Sequence, residues 1–500
     1  MSQALRICFL SAEVAPFAKV GGLADVAGSL PKAIHALGNE IFLVLPKYGI
    51  VDDAGQEIER TDIGPLEVRM GSRDISLEVW RGRLPGSDVA VYFLGNDALF
   101  EKGVYADPET GQGYASNTER FVAFSIGSLE LLRALGKPVD VIHLNDNHVG
   151  LVPLYLKHRY ADDPVLKDAA TLITIHNLAY QGAFPVEEYP ILGLPDQLAS
   201  PGSSIEACGQ VNMLKAGLME SNVISTVSET YSREIQTEEH GAGLDEVLRC
   251  RRDVLSGILN GADYSVWDPQ VDDLLPHRYG PDRMEDKAEN KKVLLETVGL
   301  PADRARDVPL IGIISRLVEQ KGFDILEEAL PEILGMDLQI VVLGTGEERY
   351  HRSLTEAAET HPDRLAVRLA FDNGLAHLIE AGSDMFLMPS RFEPSGLNQI
   401  YSLRYGAVPV VRATGGLADT IVDYEEAGAN GFVFKAYEAE ALTEAVRRAV
   451  ECYRDTAAWS ALVQRGMRLD FSWGASARKY VELYREAKKI LVGRARQSSA

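Results

Sequence analysis

Residues 385–420 read MFLMPSRFEPSGLNQIYSLRYGAVPVVRATGGLADT, and this stretch decides the fold class of the chain. An apolar run at 385–388 ends in a polar loop that carries Glu393, and a helix-like segment follows. A second apolar run at 408–411 leads into Thr414 and a pair of glycines. This order predicts strand, loop, helix, strand and loop in a parallel sheet. Because ligands bind at the loops beyond the carboxyl ends of parallel strands, we expect a ligand beside Glu393.

The motif Gly-Gly-Leu-Ala-Asp at 415–419 also occurs at 21–25, again at a predicted strand-to-helix turn. Paired glycines let backbone N–H groups approach a ligand closely, and the start of a helix favours an anion. Lys19 adds a positive charge beside the first copy. The repetition suggests two halves of the chain that face one site, although the first copy is also compatible with a tight turn and a surface lysine.

Length, charge and cysteine content limit the classes of protein. A chain of 500 residues exceeds what one core usually supports, which predicts two domains, or about three. The net charge of -23 argues against nucleic acid and anionic membranes as general partners. The cysteines have no short spacing, so neither a zinc site nor a disulfide framework is indicated. The N-terminal apolar run is too short for a signal sequence, and no stretch approaches the roughly 20 apolar residues of a membrane span, which predicts a cytoplasmic location.

Short apolar runs recur along the chain with helical patterns between them, and they fall into two series. The runs of the first series lie at 7–10, 41–45, 89–94, 141–144, 172–175 and 223–227. The runs of the second series lie at 310–314, 340–343, 365–369, 385–388, 408–411 and 432–434. Continuous apolar runs are typical of strands covered on both faces, so each series predicts a mainly parallel sheet with helices on both sides. The more polar stretch 49–89 suggests an insertion or a hairpin.

Two α/β domains follow from these series, with a hinge near 256–260. We assign the N-terminal domain to 1–257 and the C-terminal domain to 258–475. Aromatic residues in a helix-like segment predict a final helix at 476–492, and residues 493–500 are expected to form a flexible tail.

Two predicted strands of the first domain end in polar residues. His143, Asp146 and His148 lie at the end of one strand, but no helical histidine spacing or cysteine completes a ligand set, so no metal is expected. Polar contacts to a substrate or ordinary hydrogen-bonded loop residues are the open alternatives. His176 and Asn177 end the next strand. A lone histidine there is more often structural, but the repeated design favours a binding role.

In the second domain, Arg316 and Lys321 flank the turn after the first strand. Two cations at a strand end favour a diphosphate ligand over two surface charges. Glu393 either caps the helix that follows it or binds ligand hydroxyls, and the cations in the same domain favour the second role. The motif Gly-Thr-Gly at 344–346 resembles a dinucleotide fingerprint, but Arg349 replaces its third glycine and two acids precede it, so we discount hydride transfer.

Seven motifs, in order along nearly the whole chain, resemble the bacterial glycogen synthase and plant starch synthase family. They are KVGGLAD at 19–25, HNLAYQG at 176–182, NMLKAG at 212–217, ILNG at 258–261, SRLVEQKG at 315–322, PSRFEPSGL at 389–397 and TGGLADT at 414–420. The resemblance implies a glycosyltransferase-B fold with two Rossmann-like domains, an active site in the cleft between them and a last helix that crosses back to the first domain. It also implies a retaining transfer of glucose from ADP-glucose to the non-reducing 4-OH of glycogen or another α-1,4-glucan, with no metal or other cofactor.

The resemblance implies roles for individual residues of the second domain. Arg316 and Lys321 would hold the diphosphate and stabilise the leaving ADP, and Glu393 would bind hydroxyls of the donor glucose. The residues expected to assist them are Ser395, Gly396 and Leu397 at the helix start, Thr414 and Gly415 in the second glycine turn, and Phe371, which would stack on adenine.

The resemblance also implies roles for residues of the first domain. His176 would face the glucose near the reacting bond, and Asp146 and Asn177 would line the same pocket. The other contacts are expected from Lys19 and Gly22 at the nucleotide and from Asn260 at the donor or the hinge.

Three positions deserve comparison with the family pattern. Ser395 stands where a cysteine is frequent, which should leave activity intact. Asn147 stands where a tryptophan is usual, which puts the pocket wall and glucan contact in question. Tyr401 stands where related glycosyltransferases carry a second glutamate, so no pair of carboxylates can be named as nucleophile and acid. Retention is then expected to rest on attack from the face that ADP leaves, with the phosphate taking the proton.

Two alternative functions stay open. One is a related retaining glucosyltransferase that uses UDP-glucose or another acceptor. The other is a catalytically weak scaffold that binds glucan. A dinucleotide oxidoreductase is disfavoured because the fingerprint at 344–346 is incomplete.

Overall fold

We describe the fold from a computed structural model that covers residues 3–100 and 102–498, with side chains left undescribed at 52–54 and 494–498. The chain divides into two compact units. The first unit consists of Met1–Gly261 and Trp473–Ala500, and the second consists of Ala262–Ser472.

The second unit begins and ends at neighbouring points. The N–H of Ala262 donates to the carbonyl of Phe471 at 2.8 Å, and Ala262 forms a parallel bridge with Ser472. The sequence places the corresponding boundaries at 257 and 475.

The first unit is built around a sheet whose central strands are parallel. Its strands are β1 (Arg6–Leu10), β2 (Glu40–Pro46), β3 (Glu59–Arg60), β4 (Leu66–Met70), β5 (Arg73–Arg83), β6 (Ala90–Gly95), β7 (Val141–Asn145), β8 (Ala170–Ile175), β9 (Ala183–Pro185), β10 (Glu206–Ala207), β11 (Gln210–Asn212), β12 (Val223–Thr226) and β13 (Leu255–Gly257). Its first helices are α1 (Gly22–Ala36), α2 (Asn117–Leu135), α3 (Val152–His158), α4 (Met213–Glu220), α5 (Glu229–Glu234) and α6 (Asp245–Cys250).

The main sheet of this unit has the strand order β13-β12-β8-β7-β1-β2-β6-β5-β3. The chain starts at β1, moves outward through β2 to β6, and later returns to the other side of β1 with β7. Every residue of β7 and β8 is buried, which explains why these strands read as continuous apolar runs. The reversal between β1 and β7 is the switch point of the first unit, where loops diverge and leave a crevice for ligands.

An antiparallel extension forms one end of this sheet. Strand β5 pairs antiparallel with β3, β4 and β6. In β4, Leu66, Val68 and Met70 are buried while Glu67 and Arg69 are exposed, the alternation expected of a strand with one solvated face. The prediction of a hairpin region within 49–89 is confirmed. The short strands β9, β10 and β11 form a separate small sheet, which the sequence does not predict.

The second unit is wound in the same way. Its strands are β14 (Leu310–Ile314), β15 (Gln339–Leu343), β16 (Leu365–Arg368), β17 (Met385–Met388), β18 (Val408–Arg412) and β19 (Phe432–Phe434). Its helices are α7 (Glu285–Val298), α8 (Phe323–Leu334), α9 (Glu348–Thr360), α10 (Asn373–Gly382), α11 (Asn398–Tyr405), α12 (Gly415–Thr420), α13 (Ala439–Arg454) and α14 (Thr456–Met467). The strands are parallel in the order β16-β15-β14-β17-β18-β19, which is the doubly wound Rossmann order with its switch point between β14 and β17. The predicted α/β fold class with two Rossmann-like domains is confirmed.

The last helix, α15 (Trp473–Ser498), belongs to the first unit. Its Tyr484 hydroxyl lies 2.8 Å from Nδ1 of His143 in β7, and the Nε2 of the same ring lies 2.7 Å from the hydroxyl of Thr174 in β8. The helix extends beyond the predicted 476–492 and into the range 493–500. The flexibility of that tail stays a prediction, and residues 499 and 500 lie outside the described residues.

Among the described residues, no helix combines the length and the apolar character needed to cross a membrane. The cytoplasmic location stays a prediction.

We expect Tyr484→Phe to lower the free energy of unfolding by about 1–3 kcal/mol, because it removes the partner of a fully buried imidazole nitrogen. The measurement is urea-induced unfolding followed by circular dichroism. Tyr92→Phe is the control, since it removes the same atom from a half-buried ring of β6 in the same unit. Equal urea midpoints for the two variants would show that the bond between His143 and Tyr484 does not stabilise the docking of α15.

Candidate active site

A partly buried ion pair lies at the switch point of the second unit. Lys321 follows β14, Glu393 follows β17, and Lys321 Nζ donates to Glu393 Oε2 at 2.6 Å. The hydroxyl of Ser390 donates to the same oxygen at 3.0 Å. The Lys321 side chain is 21% exposed, whereas that of Glu393 is 6% exposed. The pair is therefore accessible from the lysine side, while the carboxylate is held inside the protein.

The loops after β14 and β17 are bonded to each other. The N–H of Arg391 donates to the carbonyl of Gln320 at 2.9 Å. The side chain of Asn398, at the start of α11, donates to the carbonyl of Ile314 at 2.9 Å. These bonds fix the spacing between the loop that carries Lys321 and the loop that carries Glu393.

The glycine turn after β18 closes on the same place. The N–H of Gly416 donates to the carbonyl of Glu393 at 3.1 Å. A Cβ on Gly416 would lie 2.0 Å from the carbonyl oxygen of Ser395, so only glycine allows this approach. Thr414 is buried and Gly415 begins α12. The structure thus brings Glu393, Ser395, Thr414 and Gly415 together.

Gln399 organises the start of α11. Its side-chain amide donates to the carbonyls of Ser395 and Gly396, at 2.9 and 3.1 Å. Gly396 has a φ of 67°, and Leu397 occupies the N-cap position, with no side-chain cap. Glu393 therefore does not cap this helix, and that alternative is wrong. The carboxylate is directed at Lys321 and Ser390 instead.

Two other predicted residues of this unit are exposed. Arg316 lies two residues beyond β14 on the surface of the switch point. Phe371 lies between β16 and α10 and is 85% exposed, so its ring is covered by none of the residues around Glu393. Arg316 thus follows the same strand as Lys321, and the roles of Arg316 and Phe371 stay predictions.

The glycines of the Gly-Thr-Gly motif after β15 are required because another loop packs closely against them. A Cβ on Gly344 would lie 1.8 Å from the carbonyl oxygen of Ser315. The N–H of Leu317 donates to the carbonyl of Thr345 at 2.9 Å, and the N–H of Glu347 donates to the carbonyl of Leu317 at 2.8 Å. The motif therefore braces the loop that carries Arg316, which accounts for its glycines without a dinucleotide.

Tyr401 has a packing role. Its ring stacks on Trp267 at 4.2 Å between centroids, and the other face of Trp267 stacks on His377 at 3.9 Å. His377 Nδ1 lies 2.7 Å from a carboxylate oxygen of Asp272, which also accepts the hydroxyl of Tyr405 at 2.6 Å. This stack anchors α11 through the ring of Tyr401. Position 401 therefore contributes no carboxylate to the candidate site.

In the first unit, Asp146 follows β7 at the switch point, and His176 follows the neighbouring strand β8. The N–H of His176 donates to Asp146 Oδ1 at 2.7 Å. Asp146 has a φ of 60°, a conformation that non-glycine residues seldom adopt and that is found mainly where structure or function requires it. Burial raises the pKa of Asp146 to about 7, and the N–H groups of His176 and Asn177 oppose the shift.

The histidines of this region are neutral. Burial lowers the pKa of His176 and of His148 to about 3, and that of His143 well below its ordinary value. His176 Nε2 lies 2.9 Å from Oδ1 of Asn145, whose amide nitrogen donates to the carbonyl of Leu10. His176 therefore carries its proton on Nε2, and Nδ1 can accept a hydrogen bond. Within the described residues, no group of three histidine, cysteine or acidic side chains could hold a metal ion.

Asn147 packs between the loops that follow β7 and β8. It is buried, and its amide donates to the carbonyl of Tyr180 at 3.1 Å. A Cβ on Gly182 would lie 2.6 Å from Asn147 Oδ1. The residue that replaces the usual tryptophan thus holds the loop after His176 and Asn177 in place.

The first glycine turn contains residues that the sequence reasoning missed. Lys19 Nζ pairs with Asp25 at 2.7 Å, and Gly22 begins α1. The buried carboxylate of Glu13 accepts the N–H groups of Val20 and Gly21. Glu13 follows β1 by three residues, so the strand-end rule applied to Glu393 would also have found it.

Asn260 lies where the chain leaves the first unit, beyond β13. It is buried, and among the described residues its Oδ1 has no hydrogen-bond partner. The neighbouring carbonyl of Leu259 accepts the hydroxyl of Ser476 from α15 at 2.5 Å. Asn260 is therefore placed at the boundary, and its contact with the donor stays a prediction.

Comparisons with known proteins agree with this geometry. The family described as "Starch synthase catalytic domain" matches residues 6–250, and the family described as "Glycosyl transferases group 1" matches residues 302–462. The glycogen synthase of Anaeromyxobacter dehalogenans (strain 2CP-C) is 48% identical over 486 residues, which are 96% of this chain and 99% of the relative. The glycogen synthase of Thermotoga maritima is 44% identical over 491 residues, which are 97% of this chain and 99% of the relative.

Solved structures show the same relationship. The catalytic domain of starch synthase IV from Arabidopsis thaliana, bound to ADP and acarbose, matches with a TM-score of 0.89 and 33% identity over 97% of this chain and 100% of that one. Sucrose-phosphate synthase from Thermosynechococcus elongatus matches with a TM-score of 0.58 and 16% identity over 96% and 98% of the two chains, which is a likeness of fold alone. On the extent of these matches, the chain belongs to the glycogen synthase and starch synthase family and has its glycosyltransferase-B fold.

Proposed function

We propose that this chain, a retaining hexosyltransferase of the glycogen synthase family, transfers glucose from ADP-glucose to the non-reducing 4-OH of an α-1,4-glucan. The observation that supports this proposal most is the ion pair between Lys321 and Glu393 at the switch point of the second unit. A cation and a carboxylate at this place provide one group for a diphosphate and one for sugar hydroxyls.

Arg316 and Lys321 are assigned to the diphosphate. Negative charge develops on the diphosphate as the bond to glucose breaks, and fixed cations are most effective where charge develops. Lys321 is held by Glu393, and the loop of Arg316 is braced by Gly344 and Thr345. Both cations are therefore held on fixed loops before the nucleotide binds, and little reorganisation is needed during the reaction.

Glu393 is assigned to binding rather than to nucleophilic attack. Its Oε2 accepts hydrogen bonds from Lys321 and Ser390, which stabilise the negative charge and reduce its reactivity. Oε1 is then the oxygen that meets a glucose hydroxyl. Tyr401 supplies no second carboxylate, so the two-carboxylate mechanism of glycosidases does not apply. The glucan hydroxyl attacks from the face that ADP leaves, and a phosphate oxygen accepts its proton.

The first unit supplies neutral acceptors and a carboxyl group. His176 is uncharged at neutral pH and presents Nδ1 to a hydroxyl of the reacting glucose. Asp146 and Asn177 line the same pocket. Asn147 donates to the carbonyl of Tyr180 in the loop after His176 and Asn177, which supports an ordered loop at this position.

The identity of the nucleotide is proposed from the similarity to a solved structure. The starch synthase IV domain, at 33% identity, is a structure bound to ADP, which supports an adenine nucleotide here. Lys19, Gly22 and Phe371 are proposed to contact the nucleotide, and Asn260 to contact the donor. UDP-glucose is the alternative donor.

Lys321→Ala is expected to lower kcat by about 100-fold or more, because it removes a cation at the leaving group and leaves Glu393 unpaired. Glu393→Gln is expected to raise the KM for the donor by about tenfold, since glucose hydroxyls lose a charged partner. Release of ADP with glycogen present is the measurement. The control Lys292→Ala breaks a partly exposed ion pair of α7 in the same unit and should leave kcat unchanged. Trapping of a covalent glucosyl-enzyme on Glu393 or Asp146 would contradict the assigned mechanism.

Glucan extension should be faster with ADP-glucose than with UDP-glucose by about tenfold or more in kcat/KM. The measurement is incorporation of labelled glucose into glycogen with either donor, and with both in competition. A preference for UDP-glucose would reject the assigned donor. Binding of glycogen without release of ADP or UDP would favour the scaffold.

Asp146→Asn is expected to change how stability depends on pH. The pKa of Asp146 rises from 3.8 to about 7 on folding. The folded protein therefore holds a proton that the unfolded chain releases, and this carboxyl lowers stability as pH rises from about 4 to about 7. Relative to the wild type, the variant should gain about 3 kcal/mol between pH 5 and pH 8, measured by urea unfolding. Asp337→Asn is the control, because Arg304 lowers the pKa of Asp337 and leaves it ionised throughout this window.

A further inference from the structure

A second ion pair joins the two loops that carry Lys321 and Glu393. Arg391 lies two residues before Glu393, and Glu319 lies two residues before Lys321. The guanidinium group of Arg391 lies 2.9 Å from Glu319 Oε1. The same two loops are therefore joined by two ion pairs of opposite sense. In one pair the loop after β14 supplies the cation, and in the other the loop after β17 supplies it.

The guanidinium group of Arg391 has two further contacts. It donates to Asp324 Oδ2 at 3.1 Å, and Asp324 belongs to the first turn of α8. It also lies 4.6 Å from the centroid of the Tyr437 ring, and the hydroxyl of Tyr437 donates to Asp324. An isolated exposed ion pair stabilises a protein little, but a network that combines two carboxylates with an aromatic ring stabilises it more.

The backbones of the two loops also approach each other closely. A Cβ on Gly322, which follows Lys321, would lie 2.0 Å from the carbonyl oxygen of Pro389. The carbonyl of Arg391 accepts a hydrogen bond from the guanidinium group of Arg412, the last residue of β18. Arg391 therefore contacts the loop after β14 through its side chain and the end of β18 through its carbonyl.

The proposed function places different demands on the two ion pairs. A bound diphosphate competes with Glu393 for the ammonium group of Lys321, so the bond between Lys321 and Glu393 weakens when the donor binds. Arg391 and Glu319 have no assigned contact with the donor. Their ion pair is therefore kept in the complex, where it is the ion pair that still joins the two loops at full strength.

We propose that Arg391 is a positioning residue that holds the loop of Lys321 against the loop of Glu393 while the donor is bound. It keeps the spacing of the two loops when Lys321 turns toward the diphosphate. The inference rests on the proposed contacts of Lys321 and Glu393 with the donor. Because the free protein has both ion pairs between the loops, it depends less on Arg391 than the donor complex does.

The test measures hydrogen exchange of a peptide that spans residues 315–326, with and without saturating ADP. The wild type is compared with Arg391→Ala and Arg391→Lys. Arg447→Ala is the matched control, because Arg447 is also about half exposed and also pairs with two acids, Glu332 and Glu444, toward the other end of α8. The Kd for ADP and the kcat/KM for ADP-glucose with glycogen are measured on the same proteins.

We expect Arg391→Ala to leave exchange of the peptide nearly unchanged without ADP, because the pair between Lys321 and Glu393 still joins the loops. With ADP bound, exchange should be about tenfold faster than in the wild type. The Kd for ADP should rise about tenfold, and kcat/KM should fall by about the same factor. Arg391→Lys should show smaller changes in the same direction, and Arg447→Ala none.

The variant Glu393→Gln gives a second measurement. It removes the charge of the other ion pair, so adding Arg391→Ala to it should accelerate exchange of the peptide even without ADP. An effect of Arg391→Ala that is the same in both backgrounds would show that the two ion pairs do not support each other, and would contradict the proposal.

Equal acceleration of exchange with and without ADP in Arg391→Ala would indicate a general structural role and overturn the proposal, as would an unchanged Kd for ADP. If Arg391→Ala does not fold, Arg391→Lys decides. An ammonium group cannot bridge both carboxylates in the geometry of a guanidinium, so an unchanged Kd in that variant would also reject the proposal. Failure of the proposed function is distinguishable: ADP would then not protect the peptide in the wild type, and ADP-glucose with glycogen would release no ADP.

Discussion

In each unit the winding of the sheet reverses beside one central strand, and this reversal determines where a ligand can bind. Strand β1 lies between β2 and β7, and β14 lies between β15 and β17. Loops that leave neighbouring strands in opposite directions cannot cover the strand ends between them. Asp146 after β7, Lys321 after β14 and Glu393 after β17 lie at these open strand ends, and His176 follows the next strand, β8. The positions of these candidate residues therefore follow from one rule of chain topology.

The two switch points use a buried carboxylate in different ways. Glu393 is balanced by the ammonium group of Lys321, so it can meet a ligand without an uncompensated charge in the interior. Glu13 instead accepts hydrogen bonds from three neutral donors, the N–H groups of Val20 and Gly21 and the hydroxyl of Tyr105. The first arrangement leaves the Lys321 side chain partly exposed, and the second fixes the backbone before α1. A buried glutamate thus forms an ion pair in one unit and holds a backbone turn in place in the other.

Much of this arrangement could be predicted from the sequence, because the strands are buried on both faces and read as continuous apolar runs. The strands at 7–10 and 310–314 and the polar residues after them were found in this way. Contacts between segments that are far apart in the sequence could not be predicted. The stack of Tyr401 on Trp267 joins residues far apart in sequence, and the glycines at 344–346 are required by the carbonyl of a neighbouring loop. Strands of two or three residues, such as β10 and β13, are too short to show a periodic pattern.

The hydrogen bond between Ala262 and Phe471 has a consequence for modularity. A unit whose first and last residues are bonded to each other is tethered to the remainder of the chain by two adjacent peptide connections. Its interior can be cut out or replaced by another domain with adjacent ends without stretching either flank, which is the condition under which domain insertion is tolerated. The second unit is therefore an insert within the chain of the first unit, and it can be exchanged as one continuous segment.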